Sequence, residues 1–79
     1  MSKESAYFSL QKVDGKHDVK KLKRELDSLR GVISVSVNEM SDRIAVDFDT
    51  TGVDSSRIQN KIETLGYDIV KIHIENHIM

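Results

Sequence analysis

A βαββαβ chain folding as an α+β sandwich is predicted by three features of these 79 residues. Stretches of period-two alternation flank two stripes of helical spacing. A glycine stands just beyond the end of each stripe. The two halves also repeat. Displaced by 36 positions, Phe8 falls on Ile44, Leu10 on Val46, Leu22 on Ile58, Leu26 on Ile62, Leu29 on Leu65 and Ile33 on Ile69. Each half reads as a βαβ unit, whose parallel crossover needs a helix and is right-handed. Two interleaved halves give the ferredoxin-like arrangement, one four-stranded antiparallel sheet with both helices on one face.

Taken in order, residues Met1 to Ala6 are polar and read as a frayed end. From Tyr7 to Gln11, Phe8 and Leu10 point one way and Tyr7, Ser9 and Gln11 the other, the pattern of a half-buried strand. Val19, Leu22, Leu26 and Leu29 form one stripe of a helix expected over 16–29, and Gly31 is placed to end it in a left-handed turn. Val32 to Asn38 is a strand with Ile33, Val35 and Val37 opposite Ser34, Ser36 and Asn38. After a hairpin loop over Glu39 to Arg43, Ile44, Val46 and Phe48 alternate with Ala45, Asp47 and Asp49. Asp54 is an N-cap, with Val53 and Ile58 spaced as a hydrophobic staple. Ile58, Ile62 and Leu65 make the second stripe, which Gly66 terminates. Tyr67 to about Ile74 is the last strand; both of its faces are partly apolar, and 75–79 reads as a mobile tail. The sheet face away from the helices would show Tyr7, Ser9, Gln11, Ser34, Ser36, Asn38, Ala45, Asp47 and Asp49.

Composition narrows the function. With 38% hydrophobic and 32% charged residues, the chain suits one small globular domain. It has no cysteine, which excludes disulfides, thiolate metal sites and thiol catalysis. No secretory signal or membrane-spanning run is evident, so a cytoplasmic location without membrane insertion is expected. A net charge of −1 offers no general attraction to nucleic acid. The exposed sheet positions Ala45, Asp47 and Asp49 lack the aromatics on which RNA-binding sheets stack bases, so no nucleic-acid partner is expected. Asp47 and Asp49 themselves read as solvated surface carboxylates. No nucleophile motif, phosphate loop or carboxylate pair in a cleft points to an enzyme.

Three runs carry a more specific signature: Leu29-Arg30-Gly31-Val32-Ile33-Ser34-Val35-Ser36-Val37-Asn38, Val46-Asp47-Phe48-Asp49 and Leu65-Gly66-Tyr67-Asp68. In order and spacing, from about Phe8 to Lys71, the chain resembles the heavy-metal-associated domains of copper chaperones and metal-pumping ATPases. That family carries a Cys-x-x-Cys pair between its first strand and helix. Counting back from Gly31-Val32 along the helix, the resemblance sets Gly15 and Asp18 at the cysteine positions and Val13 at a buried apolar position usually held by methionine. A soft Cu(I) ion needs thiolate or thioether ligands, so the usual metal chemistry does not transfer to a glycine and an aspartate.

Other ligands are weighed on their own terms. Asp14, His17 and Asp18 share the loop-to-helix junction and could hold zinc or a similar divalent ion weakly. The simpler reading is a carboxylate favouring a helix N-terminus beside a solvated histidine. In a strand, His73, Glu75, His77 and Met79 share a face, with His73 and His77 about 13 Å apart; in a helix the two histidines would chelate. The simpler reading is a strand extension with solvated side chains. Lys16, Lys20, Lys21, Lys23 and Arg24 make a basic run, a solvated helix face or, as the resemblance implies, a docking surface for a protein partner.

The expected function is therefore a module of a metal transport or detoxification system. It would dock with a metal-transport ATPase or related domain and bind metal weakly at most, as a monomer or weak dimer. The alternative is a metal-independent regulatory domain of the same fold, binding a small ligand or dimerising as ACT-like modules do.

Overall fold

A computed structural model describes residues 3–11, 13 and 15–77, with the backbone alone for 15–17, 76 and 77. The elements run β1 (Lys3–Leu10), α1 (Gly15–Asp27), β2 (Val32–Asn38), β3 (Arg43–Asp49), α2 (Ser55–Thr64) and β4 (Ile69–His77). The sheet order is β2-β3-β1-β4, with every neighbouring pair antiparallel. Both helices pack on one face. This is the ferredoxin-like βαββαβ sandwich.

The core lies between that face and the helices. Phe8, Ile44, Val46 and Phe48 point from the central strands to Leu22 and Leu26 of α1 and Ile58 and Ile62 of α2, all fully buried. Helical stripes of i, i+4 residues and strand alternation of period two bring these side chains together. Asp54 caps α2 by accepting from the Arg57 N–H at 2.9 Å. Val53 and Ile58, one before the cap and four after it, are both buried, as a hydrophobic staple requires. At the other end Gly66 has φ +100°, and its N–H and that of Tyr67 donate to Glu63 and Ile62, the paired bonds of a Schellman cap.

Several boundaries differ from the sequence reading. β1 begins at Lys3, four residues before Tyr7. Ala6 is fully buried and Ser5 is 2% exposed, because strands on both sides, β3 and β4, pair with this segment. α1 ends at Asp27, and Leu29 packs against the core from the turn that leads to Gly31. β4 starts at Ile69 and runs to His77, with its register tied to β1 through Lys3↔His77.

Ile33 was expected to face the core and is instead 52% exposed. The register steps from Val32↔Phe48 to Ser34↔Asp47, which leaves Ile33 as the extra residue of a bulge. Val32 and Val35 take the inward positions on either side. A similar shift between Ser9 and Leu10 leaves Val70 unpaired and 69% exposed.

Candidate functional site

The β1–α1 junction is built by long-range contacts. Leu10 N–H donates to the Asp42 carbonyl at 2.8 Å, and Val13 N–H donates to Asp42 Oδ1 at 2.9 Å. Val13 is buried, at 6% exposure. Asp42 sits in the β2–β3 loop at φ +53°, a left-handed conformation that aspartate tolerates better than most residues. One loop residue thus clamps the entry to α1 through both its backbone and its side chain. The short loop gives no local sign of this role, since the partners Val13 and Leu10 stand 29 and 32 positions away.

Asp18 lies in the first turn of α1 and is half-buried. Asp14, and the side chains of His17 and Lys16, lie outside the described residues, so the expected Asp14, His17 and Asp18 grouping has no described geometry. Among the described residues, no three His, Asp or Glu side chains approach closely enough to hold a metal ion. The donor chemistry also speaks against a soft ion, because the chain has no cysteine to supply a thiolate.

Along α1, Val19, Leu22 and Leu26 turn inward while Lys20, Lys23 and Arg24 are exposed; Lys21 is half-buried at the edge of this face. Glu25 contacts Lys61 of α2 at 3.4 Å and Arg24 Nε at 3.8 Å. The Arg24 side chain is 79% exposed, so the second contact is weak and leaves its charge directed to solvent. The described basic residues thus run along the outer side of α1, from Lys20 near its middle to Arg24 in its last turn.

The carboxylates of β3 do more than face water. Asp47 accepts hydrogen bonds from the hydroxyls of Ser5 on β1 and Ser34 on β2, the latter at 3.0 Å, and so ties three strands together. Asp49 accepts from the Thr51 hydroxyl at 2.7 Å and from the Thr51 N–H at 3.0 Å. Those two bonds hold the Asp49 carboxyl below the usual carboxylate range. Asp47 is thus tied into the sheet rather than merely solvated, whereas Asp49 keeps the solvent-facing position its alternation suggests. Alternation places both on the open face, but it does not reveal the hydroxyl partners that Asp47 finds on β1 and β2.

β4 is strand through His77, so His73 and His77 have strand spacing, about 13 Å apart along the chain. His73 Nε2 is 3.4 Å from Glu75 Oε1, and its ring lies 5.9 Å from that of Tyr7 across the β1–β4 pair. These three, with Ser9, Arg43 and Lys71, line a shallow groove of about 360 Å³ on the open sheet face. Arg43 belongs to β3 rather than to the hairpin loop, which is why it reaches this groove. Among the described residues, no helix is long and apolar enough to cross a membrane.

Comparisons with known proteins agree with this architecture. The family model described as the heavy-metal-associated domain matches residues 8–68. The chain is similar to the CopZ metallochaperone, with 26% identity and a TM-score of 0.80 over 84% of this chain and 98% of that one. It is similar to the copper chaperone of Enterococcus hirae in its apo form, with 25% identity and a TM-score of 0.74 over 82% and 98%. It also shares its fold with the N-terminal domain of a potential copper-translocating P-type ATPase from Bacillus subtilis, at 20% identity and a TM-score of 0.78 over 87% and 85%. No curated protein matches the chain. With strand order, helix placement and a family match over most of its length, the chain belongs to the heavy-metal-associated domain family, as a member without the cysteines of the metal site.

Proposed function

We propose that this domain is a docking module of a metal transport or detoxification system in the cytoplasm, and that it catalyses no reaction. Its partner would be a metal-transporting ATPase or a related domain. The contact would use the β1–α1 junction and the basic run Lys16, Lys20, Lys21, Lys23 and Arg24. The observation that carries this reading is a metallochaperone fold kept in a cysteine-free chain. The scaffold that presents the loop persists while the thiolate chemistry is gone. Exposed lysine and arginine side chains suit a fast, weak encounter with an acidic surface.

Metal binding in this reading is weak and uses hard or borderline donors. Asp14, His17 and Asp18 would hold a divalent ion such as zinc at the junction, and His73, Glu75 and His77 offer a second, poorer set. The test is an amide-shift titration of isotope-labelled protein with Zn²⁺, with Cu²⁺ and, under reducing conditions, with Cu(I). Saturable shifts over 13–19 at high micromolar Zn²⁺ support a residual site, and shifts confined to 73–77 assign it to the last strand. Absence of saturable shifts with every ion removes metal from the proposal. Titration with an ATPase metal-binding domain then tests docking: shifts along α1 support it, and none at millimolar partner overturn it.

A further inference from the structure

β4 is the outermost strand of the sheet, and its far edge meets no other strand among the described residues. Such an edge presents unpaired backbone N–H and C=O groups, which proteins commonly protect with charged side chains, proline, a bulge or a covering element. The chain has no proline, and the residue that the register shift leaves unpaired in β4, Val70, precedes 71–75, which pairs with β1 without a break. Ile72 and Ile74 stand on the helix side of the sheet, opposite the fully buried Phe8 and Ala6, yet they remain 39% and 41% exposed. The core stops short of this edge and leaves two isoleucines half-covered.

The order of residues there is Lys71-Ile72-His73-Ile74-Glu75, with an acid and a base placed symmetrically about His73. We propose that β4 pairs with β4 of a second copy of this chain, antiparallel, about a two-fold axis through His73. In this register Lys71 lies directly opposite Glu75 of the second copy, and Ile72 opposite its Ile74. Symmetry makes each pairing twice. The ion pairs form on the open face and the isoleucine pairs on the helix side, where four half-covered side chains bury one another. Opposite charges and β-branched pairs are both favourable when directly across an antiparallel ladder. Centring the pair on Lys71 or on Glu75 instead would set like charges face to face. The result is a continuous eight-stranded sheet with all four helices on one side. This pairing needs no metal and leaves the outer face of α1 free, so it stands or falls separately from the docking proposal.

The test is sedimentation equilibrium of the 79-residue protein at low ionic strength, comparing wild type with Lys71→Glu, Glu75→Lys and the double exchange. Wild type should show a monomer–dimer equilibrium. Each single exchange creates two like-charge pairs and should weaken the dimer by about tenfold or more. The double exchange restores both pairs with reversed polarity and should return the dissociation constant to within about threefold of wild type. Both side chains are exposed, and far-ultraviolet circular dichroism confirms that each variant is folded. Three results would overturn the proposal: a wild-type monomer at about 1 mM, single exchanges without effect, or a double exchange as weak as the singles.

Discussion

A close backbone approach joins the turn after α1 to the turn before α2, and it makes a quantitative prediction. Gly31 has φ +94°, and a Cβ there would lie 2.9 Å from the Gly52 carbonyl carbon and from the Val53 nitrogen. Gly66 has a similar φ of +100° but nothing within 4 Å of the same atom. Gly52 lies outside the left-handed region, and its Cβ would meet Gly31 Cα at 2.9 Å. Three alanine substitutions therefore separate two physical costs. A left-handed conformation costs an L-residue about 1–2 kcal/mol, and the unfolded chain offsets roughly 0.4–1 kcal/mol of any glycine-to-alanine change. Gly66→Ala should thus lose about 1 kcal/mol. Forcing a methyl into packed backbone costs about 1–3 kcal/mol, so Gly52→Ala should lose about 1–2 kcal/mol after the same offset. Gly31→Ala incurs both costs and should lose about 3 kcal/mol, a large part of the roughly 4–12 kcal/mol expected for a domain of this size. Urea denaturation at 25 °C reads all three. A Gly31→Ala variant no less stable than Gly66→Ala would refute the backbone contact as the reason for glycine at this position.

Other predictions test the remaining joints. Asp42→Ala removes the acceptor for the buried Val13 N–H and should cost about 1–2 kcal/mol, while Asp42→Asn, which keeps an acceptor oxygen, should cost less than half of that in the same denaturation assay. Asp54→Ala should cost about 1 kcal/mol by uncapping α2, with Asp54→Ser recovering most of it. Asp47→Ala leaves the Ser5 hydroxyl, 2% exposed in the fold, without its carboxylate and should cost about 1–3 kcal/mol; Ser5→Ala combined with it should cost little more. The Asp49 carboxyl is depressed by its Thr51 bonds, so its contribution to stability is present above the unfolded pKa and lost as pH falls through the folded value. Thr51→Val removes the hydroxyl donor and should raise the Asp49 pKa, read by carbon-13 titration of the side chain.

The elements that sequence patterns revealed are those with local physical causes. The stripe at Leu22 and Leu26, the alternation at Ile44, Val46 and Phe48, the Asp54 cap and the left-handed glycines each depend on neighbours within a few positions. The features that escaped depend on partners far along the chain. Ser5 and Ala6 look like a polar end until β3 and β4 flank them. Ile33 alternates correctly by count, and only the pairing with β3 shows that a bulge turns it outward. Asp42 and Asp47 read as loop and surface residues, yet each bonds across separations that no local pattern encodes. Of the candidate site, Asp18 lies in the first turn of α1, while Asp14 and the side chain of His17 lie outside the described residues. The site's chemistry was legible chiefly as a loss, because glycine and aspartate cannot do what thiolates do for a soft ion.

Competition for Cu(I) against a colorimetric chelator tests that loss, comparing wild type with the Gly15→Cys, Asp18→Cys double variant under reducing conditions. Wild type should leave the chelator complex intact at equimolar protein. The double variant should withdraw copper from it while keeping the wild-type circular dichroism, since the scaffold is retained and only the ligands are missing. Wild-type protein that competes as well as the double variant would contradict the account.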